Sequence, residues 1–394
     1  MKKCIYCRNL KDKNEFSLEH IIPQFLGGAS APLEYKTRDV CEQCNNILGQ
    51  FVDASFKKNY LVGTYLSIIA SYFINQDNPT LPLICMGTPD LKPPDMDEEN
   101  EICEVWLGYL GEQVYWIRPK DDDLYWYIGG NPRTINKEES RAYFLFSKNS
   151  HKFPHLSWFS FRDAFKKYRR VKKVMCTEVY GANPNSIGFK LPDDIDKKRI
   201  DYFNTIGESP EVRPHHFEYY INSDFRFLAK LGIGFAYALF GYKSLTTEYA
   251  NELYKALWYR KDESFPEIKA KTLFSNDAPD KYKKITGDKN CVTLIIQRVK
   301  DSIHLNINIA TVLIFNIAIA SCENLTQEDL DKVGDGKVII LYEPIQRYVS
   351  LDFSEYIDHK SGEMLNKEIH DIELISSECM NFLKNKLNFE YEHD

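Results

Sequence analysis

Two pairs of cysteines near the start of the chain have the spacing of metal ligands. Cys4 and Cys7 form one Cys-x-x-Cys turn, and Cys41 and Cys44 form a second. Each turn can present two sulfurs on one side, so together they can supply the tetrahedral set of four thiolates that zinc prefers. A site with four protein ligands has no open position for a substrate. The sequence therefore predicts a structural zinc ion, and catalytic groups must come from other residues.

An acid, an imidazole and an amide lie between and beside these cysteines. Glu19 and His20 are adjacent and are soon followed by Pro23, and Asn45 comes directly after the second cysteine pair. Carboxylate and amide oxygens suit Mg²⁺ or Mn²⁺, which take the rest of their ligands from water and phosphate. Histidine titrates near neutral pH and can take a proton from water. These residue types together are what metal-dependent hydrolysis of a phosphodiester requires.

The order of these residues resembles a known family of nucleases. Cys-x-x-Cys, Glu-His-Ile-Ile-Pro, Gly-Gly and then Cys-x-x-Cys-Asn with a glycine four residues later are similar to HNH endonucleases with a zinc-bound ββα-metal core, over about residues 4–55. The resemblance implies that His20 is the general base and that Glu19 and Asn45 bind a catalytic Mg²⁺ or Mn²⁺ ion. It also implies that the substrate is DNA.

One position departs from the family pattern. HNH enzymes often carry an asparagine shortly before the second cysteine pair that orients the base, and here that position is Lys36. Either Thr37 or a backbone carbonyl takes over this role, or activity is reduced. Asn46 is an alternative to Asn45 as the metal ligand, although the spacing to Gly49 favours Asn45.

Charge is unevenly distributed along the chain. The net charge is −7, but residues 1–60 carry nine Lys and Arg against seven Asp and Glu. This balance argues against a protein that coats nucleic acid over its whole surface, so a polyanion would be held locally. Near the active site, Lys36 and Arg38 are expected to contact the DNA backbone, which positions a protein without reading sequence.

A second basic cluster spans residues 166–173, where six of eight residues are Lys or Arg. One interpretation is a second DNA contact. The residues predicted to make it are Lys166, Lys167, Arg169 and Arg170. The alternative is the ordinary solvated face of a helix or strand.

The residues that position these groups indicate a mixed α+β fold. We expect a small N-terminal ββα-metal HNH domain with structural zinc over residues 1–60, followed by a helix and a Pro-rich linker over 61–100. A larger mixed α+β domain would occupy residues 101–394 and serve recognition, sensing or partner binding. Apolar periodicity predicts its main elements. These are helices at 223–240, 247–259 and 364–387, and strands at 102–110, 113–118, 303–309, 312–320 and 337–342.

The composition narrows the class of protein. No apolar run reaches the ~20 residues that span a bilayer, and the N-terminus lacks the apolar segment of a secretion signal. A cytoplasmic protein without a membrane partner is expected. The six cysteines outside the two pairs are scattered singly, and we interpret them as small buried hydrophobes.

The leading hypothesis is a DNA endonuclease, with a C-terminal region that selects the target or controls activity. Such fusions resemble prokaryotic restriction or anti-phage defence effectors, so an activating ligand or a partner protein could bind the C-terminal domain. One alternative is a non-catalytic zinc-knuckle module that binds nucleic acid or protein. Another is an RNase with the same core. Double-strand cleavage by an enzyme with one site would favour a homodimer.

Overall fold

The computed structural model describes residues 1–77, 80–120, 137–166, 169–178, 183–209, 214–216, 221–259, 264, 266–272 and 279–387. The helices are α1 (Glu42–Leu48), α2 (Ala54–Lys57), α3 (Tyr60–Ser71), α4 (Pro154–Asp163), α5 (Asp194–Glu208), α6 (Ile221–Phe240), α7 (Glu248–Leu257), α8 (Asp280–Ile285), α9 (Gln327–Val333), α10 (Phe353–Ser361) and α11 (Lys367–Leu387). The strands are β1 (Lys2–Lys3), β2 (Leu10–Lys11), β3 (Phe16–His20), β4 (Lys36–Cys41), β5 (Ile84–Cys85), β6 (Thr88–Pro89), β7 (Glu101–Leu107), β8 (Gln113–Pro119), β9 (Ser140–Leu145), β10 (Val171–Met175), β11 (His215–His216), β12 (Ala270–Lys271), β13 (Val292–Val299), β14 (Ser302–Ile309), β15 (Leu313–Ser321), β16 (Lys337–Tyr342) and β17 (Arg347–Asp352). The predicted mixed α+β class is confirmed.

Among the helices of the described residues, none combines the length and the apolar character that crossing a membrane would take.

The chain divides into two compact units. Unit 1 contains residues 1–57 and 220–376, and unit 2 contains residues 58–219 and 377–394. These limits differ from the predicted division at residues 60 and 100. The cysteine-rich segment is too short to bury a core of its own, and it shares unit 1 with distant residues instead. The predicted linker supplies β5, which pairs with β7 in the main sheet of unit 2. The functional assignment of residues 101–394 stays a prediction.

Unit 1 is built on a six-stranded antiparallel sheet with the order β12-β15-β14-β13-β16-β17. Helix α6 packs against β15 and is buried over most of its length, as expected for a helix that is apolar on nearly all sides. Phe56, next to the cysteine-rich segment, stacks on Phe227 of α6 with ring centroids 3.8 Å apart. It also meets the edge of Phe315 of β15 at 5.1 Å. These aromatic contacts join the N-terminal segment to the core of unit 1.

Unit 2 is built on a five-stranded sheet with the order β10-β9-β8-β7-β5, in which only the β10–β9 pair is parallel. Alternate residues of β8 face two different helices. Trp116 shares an apolar cluster with Phe161 of α4, whereas Tyr115 stacks on Phe203 of α5 at 4.4 Å. Because side chains alternate along a strand, the sheet is covered on both faces.

The helical run that follows β4 is interrupted. Helix α1 ends at Leu48, a π-helical segment follows over Gly49–Asp53, and α2 completes the run. A π segment widens the turn by one residue and so rotates the side chains that it carries. The rotation brings Asp53 into the group of charged residues described below.

Five of the six single cysteines are buried, as predicted. They are Cys85, Cys103, Cys176, Cys291 and Cys379. Cys322 is only half-buried, so the prediction is wrong there. The reason is its position in a 3₁₀ turn directly after the end of β15, where the chain leaves the sheet.

Candidate active site and zinc centre

The four predicted zinc ligands come together in unit 1. The sulfur atoms of Cys4, Cys7, Cys41 and Cys44 all lie within 4.8 Å of one another, and the sulfurs of Cys7 and Cys41 are 3.9 Å apart. Four Zn–S bonds of about 2.3 Å in a tetrahedron separate the sulfurs by roughly 3.8 Å. The predicted cluster is therefore confirmed, and its donor set and spacing fit a structural zinc ion.

The cysteine sulfurs of this cluster form hydrogen bonds with one another and with the backbone. The hydrogen bond with the Cys44 thiol lowers the pKa of Cys4 to about 4, and the same bond raises the pKa of Cys44. The backbone N–H of Cys41 also donates to the Cys4 sulfur at 3.4 Å. Hydrogen bonds to a sulfur favour its thiolate form. Zinc binding would displace the protons that the other thiols keep.

Helix α7 and its C-terminal end hold the first cysteine turn in place. The Tyr254 hydroxyl donates to the carbonyl of Ile5, and the Trp258 indole donates to the carbonyl of Tyr6 at 3.1 Å. Arg8 lies over the ring of Tyr254, 3.5 Å from its centroid. These supports have no local signal in the sequence, because they come from residues about 250 positions away.

The Glu-His pair lies at the end of a twisted hairpin. Strands β3 and β4 are antiparallel, Ser17 pairs with Val40 and Glu19 pairs with Thr37. One residue of β3 therefore stands opposite two residues of β4, which is a β-bulge. A bulge increases the local twist and turns side chains in new directions. Strand β3 then ends at His20. Neighbouring side chains on a regular strand point to opposite faces. The bulge and the end of β3 are the two features that could bring Glu19 and His20 to one phosphate.

His20 lies half-buried at the end of β3, directly opposite Lys36 of β4. Burial lowers its pKa, and the positive charges of Lys36 and Lys230 lower it further. The imidazole is therefore uncharged at neutral pH and can accept a proton. No hydrogen bond to the ring occurs within the described ranges, so its nitrogens are available to water.

Glu19 is buried, with 4% of its surface exposed. Its Oε1 atom lies 2.9 Å from the ammonium of Lys230 in α6 and accepts a hydrogen bond from the Tyr6 hydroxyl at 3.4 Å. The same ammonium lies 2.6 Å from Asp53 Oδ2. Burial raises the pKa of Glu19, and Lys230 opposes this rise. Lys230 and Asp53 are not among the predicted site residues, although a single lysine within an apolar helix signals a buried ion pair.

Asn45 connects α1 to β3. Its side-chain nitrogen donates to the Ser17 hydroxyl and to the Leu18 carbonyl, both at 2.9 Å. A carbonyl can only accept, so the nitrogen and not the oxygen of the amide must face β3. Both N–H bonds are then used, and Oδ1 is the atom that remains for a cation. Asn46, the alternative ligand, is exposed.

The structure also places the residues expected to orient the base or contact DNA. The Thr37 hydroxyl accepts from the backbone N–H of Asp39 at 3.1 Å and so supports the bulge. The Lys36 ammonium donates to the carbonyl of Ala29 at 2.7 Å. Arg38 is exposed on the bulge. Lys36 and Arg38 therefore flank the end of β3, and their contact with DNA stays a prediction.

The second basic cluster is partly used within unit 2. Lys172 forms ion pairs with Asp193 and Asp196, and burial lowers the pKa of Lys173 to about 8. These ion pairs connect β10 to the start of α5, and the Lys173 ammonium donates to the Arg162 carbonyl at 3.1 Å. Of the predicted DNA contacts, Lys166, Arg169 and Arg170 are exposed, and Lys167 lies outside the described residues. Binding of DNA at this cluster stays a prediction.

The Gly-Gly motif closes the loop after the Glu-His pair. Gly27 has a φ of +103°, which favours glycine. At Gly28 a Cβ atom would lie 1.6 Å from the carbonyl oxygen of Ile22. Only glycine allows this approach of two backbone segments, so the motif fixes the chain where it leaves the active-site strand.

The comparison with known families agrees with this geometry. Residues 4–61 match the model of a family described as HNH endonuclease. The match includes the four cysteines, Glu19, His20 and Asn45, and it ends before α6. No curated protein and no solved structure shows significant similarity to the chain. The N-terminal segment is therefore similar to HNH endonucleases, as its motif predicted, and this similarity supports a nuclease that binds nucleic acid.

Proposed function

We propose that this protein is a metal-dependent DNA endonuclease whose active site contains Glu19, His20 and Asn45. The observation that carries the proposal is the pair of hydrogen bonds from the Asn45 amide to Ser17 and Leu18. They hold the amide of α1 beside the strand end that bears Glu19 and His20. In the proposal, Asn45 of α1 acts together with Glu19 and His20 of β3 at this end of the zinc-supported hairpin.

Each of these residues has a defined task in the proposal. His20, uncharged at neutral pH, takes a proton from the water that attacks the phosphate. Glu19 and Asn45 would hold Mg²⁺ or Mn²⁺, and the oxygen that Asn45 offers is Oδ1. When bound, such an ion neutralises charge on the scissile phosphate and on the leaving oxygen. Lys36 and Arg38 contact neighbouring phosphates and position the strand.

Target choice or activation belongs to residues 101–394 in this proposal, because contacts to phosphates alone carry no sequence information. Lys166, Lys167, Arg169 and Arg170 would add a DNA contact there, and an activating ligand or partner protein would control cutting. A prokaryotic restriction or anti-phage effector in the cytoplasm fits such an arrangement. None of the ten cysteines, all of which lie in the described part of the chain, forms a disulfide, which is compatible with that reducing compartment. A homodimer would serve double-strand cleavage.

Cleavage assays on two substrates test the proposal. The zinc-loaded full chain is incubated with supercoiled plasmid DNA and with RNA, with Mg²⁺, without Mg²⁺ and with EDTA. We expect nicking of the plasmid only with Mg²⁺, and a loss of about 10²–10⁴-fold for His20→Ala. His370→Ala is the matched control, because this histidine is 41% exposed on α11.

Three other results would overturn the proposal. Cleavage of RNA but not DNA would indicate an RNase with the same core. Binding of nucleic acid without cleavage would indicate a non-catalytic zinc module. Nicking by His20→Ala at the wild-type rate would exclude the general-base role.

A further inference from the structure

A buried lysine from outside the HNH-like segment reaches into the candidate active site. Lys230 is in α6, whereas the family match ends at residue 61. Its side chain is 1% exposed, and its ammonium lies 2.9 Å from Glu19 Oε1 and 2.6 Å from Asp53 Oδ2. Lys230 thus bridges the acid of the Glu-His pair and the acid at the end of the π segment.

The approach of α6 to the active-site strand is built into its sequence. At Gly234, four residues after Lys230, a Cβ atom would lie 2.6 Å from Ile21 Cγ2 and 3.3 Å from the Tyr6 hydroxyl oxygen. Ile21 directly follows the Glu-His pair. The missing side chain at Gly234 therefore allows the helix to lie close to β3, and one turn earlier Lys230 reaches Glu19.

The charges explain how this lysine is accommodated in a buried site. A buried ammonium is costly unless it is paired. Burial works against the charged form of Lys230, but the carboxylates of Asp53 and Glu19 outweigh it and raise its pKa. Without the ammonium, two carboxylates would face each other across the vacated space and repel.

We propose that Lys230 is a positioning residue of the nuclease site, which holds Glu19 Oε1 and so directs Oε2 towards the catalytic cation. This inference rests on the proposed function. Tyr6 and Lys230 both make their closest approach to Oε1, so the second oxygen is the one a cation would meet. The active site of this chain is then completed by helix α6 and is not contained in residues 4–61.

Substitutions of Lys230 in the zinc-loaded full chain test the proposal. Lys230→Met removes the charge at similar length, and Lys230→Gln keeps a donor for one carboxylate. Lys360→Met is the matched control, because it breaks another ion pair of unit 1, with Asp288. The measurements are kcat for plasmid nicking at saturating Mg²⁺, Mn²⁺ affinity by EPR without DNA, zinc content and Tm.

We expect both Lys230 variants to lose about 10–100-fold in kcat and in Mn²⁺ affinity, the range known for residues that support a metal ligand. Lys360→Met should lower Tm and leave kcat within about twofold. In a Glu19→Gln background, Lys230→Gln should cause no further loss, because the lysine acts through Glu19. If Lys230→Met does not fold or retain zinc, Lys230→Gln carries the test.

The outcomes separate the two proposals. Wild-type kcat and Mn²⁺ affinity in the Lys230 variants would overturn the positioning role while leaving the nuclease function intact. Faster cutting or tighter Mn²⁺ binding by Lys230→Met would also overturn it, because the lysine would then keep Glu19 from binding the cation. A wild-type chain that cuts nothing, but whose Mn²⁺ affinity falls in the Lys230 variants, would overturn the nuclease proposal and support the positioning role.

Discussion

The two neighbouring asparagines of α1 allow a sharp test of the active-site assignment. Asn45 makes two hydrogen bonds of 2.9 Å to β3, whereas Asn46 is exposed. Each such bond contributes about 0.5–1.5 kcal/mol net. Asn45→Ala should therefore lower the free energy of unfolding by about 1–3 kcal/mol, and Asn46→Ala should change it by less than about 0.5 kcal/mol.

The effect on cleavage should exceed the effect on stability. Residues that merely support a metal ligand affect metal affinity or activity about 10–100-fold, so loss of a direct ligand at Asn45 should slow nicking by about 100-fold or more. Asn46→Ala should nick at the wild-type rate. Asn45→Asp adds a second distinction, because its carboxylate can bind Mg²⁺ but cannot donate to the Leu18 carbonyl.

The assay compares first-order nicking of supercoiled plasmid over a range of Mg²⁺ concentrations with urea unfolding of the same zinc-loaded proteins. The Asp variant should unfold as easily as the Ala variant but keep more activity at high Mg²⁺. If Asn46→Ala is slow and Asn45→Ala is fast, Asn46 is the ligand and the reasoning from the hydrogen bonds is refuted.

Three further predictions concern the support of this site. Gly28→Ala should lower the free energy of unfolding in urea by at least about 3 kcal/mol, because its Cβ would lie 1.6 Å from the Ile22 carbonyl oxygen. Gly49→Ala is the control and should be neutral or stabilising, because a Cβ there would meet open space. Equal effects of the two substitutions would contradict the close approach at Gly28. Cys44→Ser should lose zinc by elemental analysis and lower Tm by at least about 5 °C, whereas Cys322→Ser should do neither; a Cys44 variant with full zinc content would show that the cluster is not the ligand set. Burial lowers the pKa of His304; Lys269 lowers it further, whereas Asn316 and Asp301 oppose this effect. The unfolded chain therefore binds the proton more readily, and the free energy of unfolding should fall as pH drops below about 6.5. His304→Gln should reduce the difference in the free energy of urea unfolding between pH 5.5 and 7.5, and an unchanged difference would refute the assignment.

The features that the sequence predicts best are those set by short spacings. Two Cys-x-x-Cys turns fix the geometry of two sulfurs each, so the zinc cluster required no knowledge of the remaining fold. The apolar pattern at 223–240 likewise predicts α6, which spans Ile221–Phe240. Strand β14 follows the alternation at 303–309 and begins one residue earlier.

Other elements lacked a clear local pattern. Helix α4 carries aromatic residues, which are weak helix formers, and begins with Pro154. Helix α5 is mostly polar, and its one clear signal in the sequence is the capping box of Asp193 and Asp196 at its start. The ion pair of Lys230 with Glu19 could not be predicted from the sequence for a different reason: the two residues are about 210 positions apart and meet only in the tertiary fold. The limits of the two units could not be predicted either, because each unit combines segments that are distant in the sequence.

The discontinuity of unit 1 has a consequence for how the protein is made. Its two parts are separated by about 160 residues of unit 2. At roughly 5–20 residues per second, a ribosome needs on the order of 10–30 s to synthesise that stretch. During this interval the emerging N-terminal segment lacks the aromatic partners of Phe56 and the ammonium that faces Glu19. On the proposed mechanism, a nascent chain without α6 lacks the residue that positions Glu19, so it should cut nucleic acid about 10–100-fold more slowly than the completed unit 1.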